Sequence, residues 1–182
     1  MYHIKVDKRA QRSAGLIVQG VNACLQKKEY RKITIADVLE ESTVGRATFY
    51  RLFDSISDVL SYECDLMFEQ INHESSKGKT LQDILVLDIE TFMRHDVLLE
   101  TIVNSHQLNI IYDAQLRQIN QNIFFKIELA SPDQQDFYLA VLTNLLISTL
   151  STWINHGKKE SADELFVALQ ASITMLNQTI ND

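Results

Sequence analysis

The sequence predicts an all-α chain of about nine helices. Three observations carry that prediction. Its 182 residues include one Pro and five Gly, too few for the turns that a sandwich or barrel needs every ~8–12 residues. Apolar residues recur at the three- and four-residue spacing of a helix face rather than in alternation. Ahead of five of the predicted helices a Ser or Thr is followed three positions later by an acid or Gln, the reciprocal cap of a helix start. These are Thr34-x-x-Asp37, Ser55-x-x-Asp58, Thr80-x-x-Asp83, Ser131-x-x-Gln134 and Ser161-x-x-Glu164. With 46% apolar and 23% charged residues the chain can bury a core, which excludes disorder as its main state.

The elements follow in order. The first helix runs from Lys8 to Lys28, with Ile17, Val21, Cys24 and Leu25 on one face. Two short helices cover Ile35–Ser42 and Arg46–Phe53. A longer one begins near Ser57 and reaches Glu74, before the polar break Ser75-Ser76-Lys77-Gly78-Lys79. Helices over Leu81–His95, Asp96–Ser105 and Leu108–Ala130 come next. Pro132, placed where its missing N–H does no harm, opens the helix that ends at His156. The last helix spans Ala162–Ile180. Cys24 and Cys64 fall in helical patterns and read as small buried apolar residues. The run Phe137–Ile154 has the length of a bilayer span, but Thr143, Asn144, Ser148, Thr149, Ser151 and Thr152 make it a buried helix instead. With no apolar leader at the start of the sequence, the expectation is a cytoplasmic protein with no membrane contact.

Charge is unevenly placed. Residues 1–61 carry ten basic and seven acidic side chains, a net of +3, within a chain whose total is −7. The remaining residues are therefore at −10. Such asymmetry points the basic segment at a polyanion. That segment contains the two short helices, joined by Thr43-Val44-Gly45. Neither is stable alone, but packed on a longer helix they form a helix-turn-helix. Ile35, Val38, Leu39, Val44, Phe49, Leu52 and Phe53 are its inward residues. Arg46, Ala47, Thr48, Tyr50 and Arg51 are left outward, a set with charge, hydroxyls and a methyl suited to the edges and phosphates of a major groove.

Ile33-Thr34-Ile35-Ala36-Asp37-Val38-Leu39, followed by Val44-Gly45-Arg46-Ala47-Thr48-Phe49-Tyr50-Arg51-Leu52-Phe53 and Asp54-Ser55-Ile56-Ser57-Asp58-Val59-Leu60, resembles the DNA-binding signature of TetR-type transcriptional regulators. The resemblance covers about residues 10–65, with a fainter echo in Trp153-Ile154-Asn155-His156-Gly157 and Ser161–Leu165. It implies a helix-turn-helix DNA-binding domain over 1–56 and a helical regulatory and dimerisation domain over 57–182. It also implies double-stranded DNA with a palindromic operator as partner, repression as a homodimer, and release by a small-molecule effector. By matching positions, Thr34, Thr48, Tyr50 and the Ser57 N–H would meet phosphates or sugars. Gly45 would cap the recognition helix, and Arg46, Ala47 and Arg51 would lie nearest the bases.

Four departures stand out. Ser42-Thr43 replaces Ala-Gly, which predicts a differently built turn. Gly45 replaces a capping Ser, Ala47 a Gly, and Ile56 a Lys that would hold a phosphate. Lys27, Lys28, Lys32 and an arm over Lys5–Arg12 are the expected compensation.

In the acidic part, the helix after Pro132 is apolar nearly all round, so one face meets the core and another either core or a partner. With the last helix it predicts a dimer interface of Leu142, Leu145, Leu146, Thr149, Leu169, Ile173 and Leu176. Met93, Ile102, His106, Tyr112, Phe124 and Trp153 are the candidate ligand-pocket residues, each also readable as ordinary core. His95, His106 and His156 lack metal-ligand spacing, so no metal or cofactor is expected. The sequence has no nucleophile elbow, phosphate-binding Gly loop or zinc motif, so no enzymatic role is expected. The competing reading is a helical protein-binding adaptor of the same fold with weak or lost DNA binding.

Overall fold

A computed structural model describes residues 2–4, 7–75, 80–119 and 132–181. Among these residues the chain is all helical: α1 (Lys8–Leu25), α2 (Ile35–Ser42), α3 (Arg46–Leu52), α4 (Ile56–Ser75), α5 (Leu81–Arg94), α6 (Asp96–Asn104), α7 (Asn109–Ile119), α8 (Pro132–Asn155) and α9 (Ala162–Asn181). A 3-10 turn at Tyr30–Lys32 precedes α2, and the strand-like pairing among the described residues is an isolated bridge between Tyr2 and Phe53. The expected helix over Leu108–Ala130 is present to Ile119; the rest of it, with Phe124 and the Ser131 cap, lies outside the described residues.

The caps form as the sequence predicts. Thr34 and Asp37 make a reciprocal box at the start of α2, and Thr80 and Asp83 do the same at α5. Ser55 Oγ accepts from Asp58 N while Asp58 Oδ2 accepts from the N–H groups of Ser55 and Asp54. Ser161 and Glu164 complete the set at α9. Each box satisfies donors that a helix start leaves open.

Helices α1 to α3 build the head. α1 packs on α2, α3, α4 and α6, so the head is not a bead on a string. Ala14, Ile17 and Val21 of α1 meet Val38 of α2, Phe49 and Leu52 of α3, and Val59, Leu60 and Cys64 of α4 in one core. α4 continues from the head into the body, where it packs on α5 and α7, while α9 lies on α5 and α8. The expected boundary between residues 56 and 57 falls in the first turn of α4, a helix shared by both parts. Cys24 and Cys64 are buried free thiols. No helix among the described residues is long and apolar enough to cross a membrane, and no cluster of metal-ligating side chains occurs among them.

Gly20 sets the closest helix contact of the head. A Cβ there would lie 2.8 Å from Ser42 Cβ and 3.0 Å from both Ser42 N and Val38 O. Only a glycine lets α2 approach α1 this far.

Candidate nucleic-acid interface

The solvent face of α3 is built by burial. Phe49 and Leu52 are anchored in the head core, with Phe53 just beyond α3, and the two rings of Phe49 and Phe53 sit 6.0 Å apart. Anchoring these residues leaves Arg46, Ala47, Tyr50 and Arg51 exposed together at i, i+1, i+4 and i+5, one face of the helix. Thr48 is half-buried at its edge. Tyr50 leans its ring edge-on against Phe49 at 5.6 Å, which holds the phenol outward. Arg46 and Arg51 make no ion pair with any described residue, so both cations face solvent unspent.

The turn before α3 is built on Thr43. Thr43 itself adopts the left-handed conformation, with φ 56° and ψ 17°, and so does what a glycine would do there. The turn thus holds a β-branched residue in a region that disfavours one. Gly45, by contrast, sits at φ −67° with open space around a Cβ, so neither conformation nor room demands glycine at this cap.

The flank of the head is quieter than its charge suggests. Lys27 Nζ lies 2.5 Å from Glu41, Lys28 Nζ 2.7 Å from Asp37, and Lys32 Nζ 3.0 Å from Glu29. The lysines expected to compensate for Ile56 are thus already engaged. Asp37 is the hub: it accepts from Lys28, from the Thr34 N–H at 2.9 Å and from the Thr34 hydroxyl. The Lys28 ammonium first, then Thr34, hold its carboxyl down at about 2. The Thr34 N–H, expected on a phosphate, is taken by this carboxylate. The expected arm is also different. Lys8, Arg9 and Arg12 are exposed on the first turns of α1, whose N-cap is Asp7, while Lys5 lies outside the described residues. Ser57 sits in the first turn of α4, half-buried, and its hydroxyl donates to Gln107 Oε1 at 2.6 Å.

The expected ligand set does not gather around a cavity. Ile102 and Trp153 are core, and the Trp153 indole N–H is spent on the Glu160 carbonyl at 3.1 Å. Met93 and Tyr112 are half-buried against that core. His106 is exposed at φ 59°. It ends α6: its N–H donates to Val103 O and the Gln107 N–H to Ile102 O, the paired bonds of a Schellman cap. Gly157 ends α8 in the same way, its N–H bonding Ile154 O and that of Lys158 bonding Trp153 O. A cleft of about 730 Å³ opens elsewhere. It lies between the α1–α2 connector, from Leu25 to Arg31, and α6, where Glu100, Thr101, Asn104 and Ser105 face it. None of the described residues read from the sequence as pocket lining borders this cleft, whose wall mixes Leu25, Tyr30 and Val97 with charged and polar side chains.

The expected dimer set splits by burial. Leu142, Leu146 and Leu169 belong to the chain's own core, at 7%, 1% and 2% exposure, so they are not available to a second copy. Leu145 and Thr149 are half-buried, and Ile173 and Leu176 are exposed. Phe137 and Val141 on α8, and Val167 and Met175 on α9, are exposed apolar residues that were not foreseen. Helical spacing alone cannot say which side of an all-apolar helix its own chain covers.

No protein-family model and no curated protein matches the sequence. Among solved structures, Lin0861 from Listeria innocua superposes with a TM-score of 0.79 at 20% identity, over 96% of each chain. A TetR transcriptional regulator from Streptococcus agalactiae gives a TM-score of 0.63 at 22% identity, over 92% of this chain and 96% of that one. The dihydroxyacetone kinase operon activator DhaS gives 0.62 at 16% identity, over 93% and 96%. At these identities the likeness is one of architecture: the chain has the fold of the TetR-type transcriptional regulators.

Proposed function

We propose that the protein is a DNA-binding transcriptional regulator that reads a palindromic operator as a homodimer. The observation that carries this reading is the solvent face of α3, where Arg46, Ala47, Tyr50 and Arg51 stand together on a buried anchor with both guanidinium groups free of ion pairs among the described residues. Lys8, Arg9, Arg12 and Arg31 add cations to the same head. Arg46 at the start of α3 suits a guanine edge, and Tyr50 and Thr48 suit the backbone. A two-fold axis through α8 and α9 would set two such helices about one DNA turn apart, roughly 34–36 Å. The exposed apolar residues Phe137 and Val141 of α8 and Val167, Met175 and Leu176 of α9 supply the surface for that contact. A repressor is the reading adopted, with the cleft between the α1–α2 connector and α6 as the place for a small effector that releases DNA.

The test is selection of genomic fragments by purified protein at low salt. A palindromic motif should be enriched, and Arg46→Ala with Tyr50→Phe should abolish that enrichment while the dimer mass stays unchanged. Failure to enrich any DNA at low salt would overturn the reading in favour of a protein-binding adaptor, a reading that the acid-paired lysines and Ile56 favour.

A further inference from the structure

The first residues of the chain do not hang free beside the head. The Tyr2 backbone bridges Phe53, and the His3 N–H donates to Leu52 O at 2.8 Å, so this strap pairs with the end of α3 itself. The Tyr2 ring stands edge-on to Tyr62 of α4 at 5.3 Å, and Tyr62 in turn meets Phe53 at 5.8 Å. The Tyr2 hydroxyl donates to Asp65 of α4. Asp65 is only 4% exposed, and Arg117 of α7 grips it with Nε at 3.1 Å and Nη2 at 3.0 and 3.1 Å. A buried carboxylate needs such a partner, and a two-pronged guanidinium also fixes where it sits. Burial first, and then Asp65, raise the Tyr2 phenol above its ordinary pKa, so it remains a donor.

One path of directed contacts therefore joins the reading helix to the body: the end of α3, the strap, Asp65 of α4 and Arg117 of α7. Resting on the DNA-reading assignment above, we propose that Tyr2 and Arg117 are positioning residues for the recognition helix. Tyr2 locks the end of α3 to α4, and Arg117 sets where Asp65 holds that lock. A shift of α7 against α4 then reaches the DNA-reading face through the strap.

The experiment compares full-length wild type with Tyr2→Phe, Arg117→Leu and Arg117→Lys. Two quantities are read: amide hydrogen exchange across residues 46–55, and affinity for the selected operator at two salt concentrations. Tyr2→Phe keeps the ring contact with Tyr62 and removes only the hydroxyl, so its global stability should stay close to wild type. Exchange over 46–55 should nonetheless rise several-fold. Operator affinity should fall by about five- to tenfold, less than the full worth of one lost hydrogen bond to a charged group. The salt slope should not change, since no phosphate contact is removed. Arg117→Leu should reproduce both effects, and Arg117→Lys should restore part of each.

Unchanged exchange over 46–55 in Tyr2→Phe and Arg117→Leu would overturn the proposal even if wild type binds its operator well. So would an exchange increase spread evenly over the whole chain, which would mark the strap as general support. A wild type that binds no DNA would overturn the regulator reading instead, and the exchange measurement would still decide the strap.

Discussion

Replacing Thr43 with Gly should stabilise the protein, and the size of the gain follows from one pair of angles. Thr43 closes α2 at φ 56° and ψ 17°. The left-handed region costs an L-residue about 1–2 kcal/mol, and β-branching puts Thr at the upper end. Thr43 is exposed, and its side chain accepts or donates no hydrogen bond to any described residue, so no contact is lost with it. Against the relief stands the freedom that glycine adds to the unfolded chain, about 0.4–1 kcal/mol. The net gain is about 0.5–1.5 kcal/mol. In a chain of this size 1 kcal/mol moves Tm by about 2–4 °C, so Thr43→Gly should melt about 1–6 °C higher. The assay is thermal unfolding followed by far-UV circular dichroism, with Thr43→Val as the control that keeps the β-branch. Thr43→Val should gain nothing, and Thr43→Asn should fall between Val and Gly. A Thr43→Gly protein with native spectra that melts at or below wild type would refute the strain reasoning.

Gly20→Ala should act in the opposite direction. Its new methyl would meet the Ser42 and Val38 backbone of α2, an overpacking of about 1–3 kcal/mol, and urea unfolding should show a lower midpoint. Asp88, 3% exposed in α5, has its carboxyl pushed up to about 8 by burial. A raised carboxyl pKa means the folded state holds the proton more tightly. Stability is therefore full below the ordinary value near about 4 and is lost as pH rises through about 8, by an amount on the order of a few kcal/mol. Asp88→Asn should flatten that dependence, melting higher than wild type at pH 8 and close to it at pH 4; parallel curves for the two proteins would sink the assignment. Val141→Glu with Leu176→Glu places charges on exposed apolar sites of α8 and α9, and should convert a dimer to monomers by analytical ultracentrifugation without unfolding the chain.

What the sequence revealed and what it concealed divide along physical lines. The helices were legible because caps are local: Thr34 and Asp37 find each other three residues apart whatever the tertiary fold does. The exposed face of α3 was legible because Phe49 and Leu52 had to go inward, which leaves Arg46, Ala47, Tyr50 and Arg51 out. Contacts between distant segments were not. Nothing near Lys27 or Lys28 in the sequence says that Glu41 and Asp37 will take their charge. That His106 terminates α6 was not legible either, since a left-handed residue at a helix end is a backbone property that a side chain does not announce. A mid-helix glycine was a usable signal for the close approach of α1 and α2. A tyrosine at position 2 was not a usable signal for its bond to Asp65, 63 residues away.

The far end of α9 carries a different kind of information. From Gln170 to Thr179 every residue is exposed, and Leu169 is the last buried one. A helical stretch this short has little stability of its own in water. In the proposed homodimer a partner would cover this stretch, so its order should follow mass action: dilution should unwind it and concentration should wind it. Helix content should then vary with how much of the protein is present, and an ellipticity that stays flat across a dilution series would speak against the proposed dimer.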